Sequence, residues 1–149
     1  MYLVSKAFFL ILILTMVANS SNGQGISEKE LSGKWKVVNV IISRIPKAKE
    51  IETGKQEAAF LKSTFKFESD KYFTLTFENE TEDPYIDKME IYGAHWRLDQ
   101  SARIVVITEL KEKDSDKFDL MEIKIKQEGD KIFFFISDTF FKLEVEKIE

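Results

Sequence analysis

The sequence predicts an all-β protein, an antiparallel up-and-down barrel of about eight strands, with a short helical turn before the first strand and a helix in the first long loop. Three observations carry this. Short segments alternate apolar and polar residues, as strands with one buried face do. Turn residues separate them at even spacing, so each strand pairs with its neighbour in sequence. The first strand opens on Gly33-Lys34-Trp35, where glycine permits close backbone approach and the indole can plug one end of a barrel while the other stays open. A two-sheet sandwich could be built from the same strands, but closure leaves no exposed edge.

Taken in order, Ile26 to Leu31 reads as a helical turn, with Ser27 as N-cap and Glu30 completing a capping box. The strand from Gly33 ends near Ile42. A long connection, Ser43 to about Ser63, contains Pro46 and then Gly54 to Lys62, rich in helix formers; a connection of this length usually has a task, such as covering a pocket. From Thr64 the period becomes two. Thr64–Glu68, the turn Ser69-Asp70-Lys71 and Tyr72–Glu78 form a hairpin. After a polar loop, Asn79 to Pro84, comes a long strand within Asp87–Leu98, where Gly93 marks a bulge or sharp bend. Arg103–Glu109 follows, then a charged loop, Lys111–Lys117, and the strands Asp119–Lys126, Lys131–Ile136 and Phe141–Glu146. The charges fall mostly on the outer faces of strands rather than in blocks.

The 149 residues fit one domain, with residues 1–20 expected to lie outside it and 21–149 to form it. Lys6, the apolar run Ala7–Ala18 and the small polar residues after it have the pattern of a secretory signal peptide. The run is short for a membrane span, although an uncleaved anchor is the alternative. Ala18 and Ser20 suit cleavage after Ser20; Ser21 and Gly23 suit cleavage after Gly23. A secreted or periplasmic protein, soluble once processed, is expected. The chain has no cysteine, which excludes disulfides and thiolate chemistry and leaves stability to the core. That usage points to a bacterial source. Losing Lys6 with the leader takes the net charge from −4 to −5, which argues against nucleic acid or anionic lipid as the main partner.

From residue 26 to 148 the chain resembles a lipocalin-like protein of the calycin group. The signal peptide, the helical turn, Gly33-x-Trp35, the long first loop and the meander of strands carry the resemblance. Gly93-Ala94-His95-Trp96-Arg97-Leu98-Asp99 is similar to the mid-barrel strand of small bacterial lipocalin-like domains. The sequence departs from the family in lacking a Thr-Asp-Tyr-type motif, a disulfide, a C-terminal helix and an arginine on the last strand to stack on Trp35. Lys142 or Lys147 would have to take that arginine's place. Fatty-acid-binding proteins share the Gly-x-Trp opening but lack a signal peptide and insert two helices after the first strand.

No catalytic constellation is visible. His95 is the sole histidine, too few for a multi-His zinc site, and without cysteine a Cys–His pair cannot form. No cofactor or metal is expected. Asn79-Glu80-Thr81 is a glycosylation sequon, inert in a bacterial host. Thirteen Phe and four Tyr are a heavy aromatic load for this length. Packed into the core they would fill a small barrel; lining a cavity they would hold a small apolar molecule. Alternation assigns the lining to Val37, Phe67, Phe73, Leu75, Phe77, Trp96, Met121, Ile123, Phe133 and Phe135, with Gly33 and Trp35 structural at the closed end. In Arg103–Thr108 and Ile132–Ile136 both faces are apolar, so a slip of one residue would exchange them. Asn39 or Tyr92 would orient a ligand, and Phe60 or Leu61 would close over it from a lid spanning Pro46–Lys62. The expected function is non-catalytic binding of a small apolar ligand inside the barrel. The alternative is a secreted interaction module, an inhibitor or accessory subunit, with a filled barrel that acts through its loops.

Overall fold

The structure, a computed structural model, describes residues 25–43, 50–78, 87–109 and 118–149. The signal-peptide reading of residues 1–20, Pro46 and the sequon at Asn79 lie outside the described residues. The chain runs α1 (Glu28–Leu31), β1 (Gly33–Ile42), α2 (Glu50–Phe60), β2 (Ser63–Phe67), β3 (Tyr72–Phe77), β4 (Ile91–Asp99), β5 (Ile104–Thr108), β6 (Asp119–Glu128), β7 (Lys131–Ile136) and β8 (Phe141–Lys147). Each strand pairs antiparallel with the next, and β8 returns to β1, so the sheet closes into an eight-stranded barrel.

The N-terminal turn forms as its capping residues dictate. The Glu30 N–H donates to Ser27 Oγ at 3.3 Å and the Ser27 N–H to Glu30 Oε2 at 2.8 Å, which satisfies two otherwise orphaned donors. Gly33 follows with φ +129°, and a Cβ there would sit 2.2 Å from the Glu149 carbonyl oxygen. The contact exists because Lys34 N–H donates to that oxygen at 3.1 Å and Ile148 N–H to the Lys34 carbonyl at 2.8 Å, laying the end of the chain along the start of β1.

Two bulges decide which residues face inward. In β1, the register against β8 shifts between Val37 and Asn39. Val37 and Val40 are buried, whereas Val38 is 41% exposed. In β4, Gly93 adopts φ +67°, and the register against β3 shifts so that Phe73 opposes Ala94 while Leu75 opposes Ile91. The bulge anticipated at Gly93 is therefore present, and it keeps Ile91, Ala94 and Trp96 on the inner face while sending Tyr92 outward. The strand itself starts later than its apolar pattern implied, because residues 87–90 form a turn in which the Glu90 N–H reaches the Asp87 carbonyl. The loop helix lies earlier, over Glu50–Phe60 rather than 54–62.

The register of β7 corrects the assignment of two aromatics. Phe133 and Phe135, expected inside, lie on the outer face, where they oppose Lys126 and Glu144, and Lys124 and Lys142, respectively. Lys142 Nζ lies 3.9 Å from the Phe133 ring centroid and 5.5 Å from that of Phe135, so the outward rings are shielded by a lysine stem and its charge. Phe134 takes the interior position between Ile125 and Leu143. The physical reason is parity: side chains on paired strands share a face at opposed positions, and Leu143 belongs to the alternating inward set Phe141, Leu143, Val145.

Candidate functional site

The barrel has two ends with different chemistry. At the Trp35 end, alternation and aromatic size produce a packed interior. Phe67 lies 5.1 Å from Phe73, 5.6 Å from Trp96 and 6.0 Å from Phe134, centroid to centroid. Phe65 stands edge-on to Phe134 at 5.5 Å, and Phe134 lies 5.8 Å from Trp35. These are the separations of rings in direct contact, and Phe65, Phe67, Phe73 and Phe134 have no exposed surface.

α1 closes this end. Trp35 Nε1 donates to the Leu31 carbonyl at 2.7 Å in a buried hydrogen bond, and Leu31 is fully buried. The last inward position of β8, opposite Trp35, is Lys147. Its ammonium stands 5.6 Å over the indole and donates to the Glu30 carbonyl at 2.7 Å. Lys147, not Lys142, thus takes the place anticipated for a cation stacked on Trp35. A second lysine repeats the device: Lys71 Nζ lies 4.1 Å over Trp96 and pairs with Glu28 at 2.6 Å, while Trp96 Nε1 donates to the Glu68 carbonyl at 2.9 Å.

At the opposite end the strands give way to the long connections. α2 reaches inward with Phe60, buried 5.7 Å from Phe77 and 5.2 Å from Phe141. Leu61 is 41% exposed, so Phe60 is the residue of this helix that covers the interior. Ser63 Oγ donates to the Phe60 carbonyl at 2.8 Å and fixes the helix end over the start of β2. Phe60, Phe77 and Phe141 place this cover on the side of β3 and β8. On the side of β4 and β6, Met89, Ile91 and Met121 pack against the core yet are only partly buried. Met121 faces inward opposite Ile107, beside a register shift that leaves Leu120 45% exposed.

Of the residues that alternation placed on the lining, Val37, Phe67, Phe73, Leu75, Trp96 and Ile123 are brought together in the buried core, and Phe77 and Met121 stand toward the loop end. Phe133 and Phe135 are not among them. Neither expected polar orienting group faces inward. Tyr92 is 67% exposed and its hydroxyl donates to Glu90 Oε2 at 2.7 Å; Asn39 is exposed and bonds Glu144, one cause of that carboxyl's lowered pKa. The two bulges explain both outcomes, since each adds a residue and reverses the parity beyond it. Sequence reasoning missed Met89, Ile91 and Phe134; the glycine at 93 was the available signal for Ile91.

Among the described residues no group of three or more His, Asp or Glu side chains could hold a metal ion, and no helix is long and apolar enough to cross a membrane. His95 lies outside the core cluster, edge-on to Tyr72 at 4.9 Å. The shifted carboxyls belong to surface hydrogen bonds and ion pairs: Lys126 and Lys142 lower Glu128, and Lys131 lowers Glu144.

Comparison with known proteins gives no match to any family model, curated protein or solved structure.

Proposed function

We propose that this chain is a secreted, lipocalin-like, non-catalytic carrier that binds a small apolar molecule at the loop end of the barrel. The site lies between Phe60 of α2 and the partly buried Met89, Ile91 and Met121. The observation that carries this reading is the arrangement of the loop end: Met89, Ile91 and Met121 pack against the core yet keep accessible surface, beside the cover that Phe60 makes with Phe77 and Phe141. Inward apolar surface beside a helical cover suits a ligand that is held by shape and burial rather than by polar contacts. Methionine adapts to irregular ligands. Burial worth about 25 cal/mol per Å², less the cost of association, is compatible with micromolar affinity. The calycin-like plug of Trp35 and Lys147 supports the same family resemblance.

The test is titration with N-phenyl-1-naphthylamine, a neutral apolar fluorophore. Saturable binding to the wild type is expected, weakened about tenfold or more in Met121→Glu, where a charge must be desolvated, and unchanged in the outward control Leu120→Glu. Equal binding by both variants would move the site out of the barrel. A wild type that binds no apolar probe would favour the second reading, an interaction module. That reading has its own support in the exposed apolar residues of the loop end, Leu61, Tyr92, Phe118 and Phe140.

A further inference from the structure

The closed end of the barrel carries an open cleft of about 1190 Å³ beside α1, remote from the loop end. Its lining is mixed: apolar Ile26, Ile125, Ile132 and Trp35 stand beside polar Ser27, Gln100 and Gln127. Its charged lining is Lys29, Arg103 and Lys147 against the single carboxylate of Glu30. That carboxylate is turned into the capping box, accepting from Ser27 N–H at 2.8 Å and from Ser27 Oγ at 2.6 Å. A chain whose formal net charge is −4 has therefore placed three cations on one partly apolar depression.

The cations are placed by the fold. Lys147 is fixed over Trp35 by the Glu30 carbonyl. Arg103 stands in the β4–β5 turn with φ +57°, a conformation uncommon outside glycine, asparagine and aspartate. Its carbonyl accepts from Ile125 N–H at 2.8 Å, and its side chain lies along Gly25, where an added Cβ would come within 3.3 Å of Nε. Lys29 rises from the exposed side of α1.

We propose that this cleft binds a small amphiphilic anion, an acyl or aryl body bearing one carboxylate or sulfonate. The body would cover Ile26 and Ile132, and the head would meet Lys29 and Arg103. The apolar part of the lining alone would accept neutral molecules; Lys29 and Arg103 select an anionic head, because a charge-assisted hydrogen bond is about twice as strong as a neutral one. The proposal does not rest on the loop-end site.

The experiment uses 8-anilinonaphthalene-1-sulfonate as probe, followed by isoleucine methyl and tryptophan indole NMR on the isotope-labelled protein. Saturable shifts are expected at Ile26, Ile125, Ile132 and the Trp35 indole. N-phenyl-1-naphthylamine, the same ring system without the sulfonate, should leave Ile132 unmoved. Lys29→Gln combined with Arg103→Asn, which tolerates a positive φ, should weaken sulfonate binding at Ile132 about tenfold, and added salt should do likewise. If the sulfonate shifts only Ile91 and other loop-end signals, or shifts Ile132 equally in the double variant, the cleft is not an anion site and the proposal fails. Failure of the loop-end reading would show separately, as absence of any Ile91 response to the neutral probe.

Discussion

At position 35 an indole satisfies three demands at once. It is 3% exposed, its N–H is bonded to Leu31, and its face carries the Lys147 ammonium. Removing the ring should cost about 3–5 kcal/mol, as for other buried Trp truncations, so Trp35→Ala should be strongly destabilised or insoluble; a loss under about 1 kcal/mol in urea titration would contradict the plug. Lys147 separates charge from packing. Lys147→Met keeps an aliphatic stem over the indole but removes the hydrogen bond to the Glu30 carbonyl, and the expected loss is about 1 kcal/mol. The Gly-x-Trp motif was legible because both residues are locally exceptional. The alternation of Phe141, Leu143 and Val145 already turns Lys142 outward, but that Lys147 stands opposite Trp35 was not legible, since it depends on the pairing register of β1 with β8.

At the scale of elements, β7 is the sharpest case. Ile132-Phe133-Phe134-Phe135-Ile136 has no polar residue to set its parity, and only the opposed strands decide that Phe134 points in. Phe134→Ala should therefore cost about 3–5 kcal/mol and Phe135→Ala about 1 kcal/mol or less, compared by urea midpoints at equal slope. A reversed order would restore the parity expected from sequence. β2 and β3, by contrast, were legible almost residue by residue, because Phe65, Phe67, Phe73, Leu75 and Phe77 alternate with polar neighbours. How fully the inward rings fill the barrel was not legible at all: periodicity gives direction, whereas filling depends on ring contacts across several strands. The loop helix supplies another test. Gly54 is exposed within α2, and an added Cβ there meets nothing within 4 Å. Gly54→Ala should raise stability by about 0.5–1 kcal/mol, read as a higher urea midpoint; a lower midpoint would mean that α2 is not helical at Gly54.

At the scale of the molecule, the outer surface of the barrel is held by paired charges rather than by any one strong bridge. Lys131 meets Glu144 at 2.7 Å, Lys142 meets Glu128 at 2.9 Å, Lys126 meets Glu128 at 2.8 Å, and Lys71 ties α1 to the β2–β3 turn through Glu28. Hydrogen bonds from lysine hold Glu128 and Glu144 below the ordinary carboxylate pKa, and those from Ser27 and from Ser101 with Ala102 do the same for Glu30 and Asp99. A carboxyl whose pKa is lower in the folded state than in the unfolded chain contributes stability that is fully present above the unfolded pKa, near 4, and is lost as pH falls through the folded value. Stability should thus be level from neutral pH down to about 5 and then decline steadily toward pH 2. The loss should be spread over four carboxyls in three regions: α1, the β4–β5 turn and the β6–β7–β8 face. Replacing Glu128 with Gln should flatten that acid limb while leaving the neutral-pH midpoint only slightly lower, because exposed pairs are screened and individually weak. Urea midpoints measured from pH 7 to pH 2 on both proteins decide this. An unchanged acid limb in the variant would show that Glu128 does not carry its share of the linkage, and a wild type equally stable at pH 2.5 and pH 7 would remove surface carboxylates from the account of what holds the barrel's outer face.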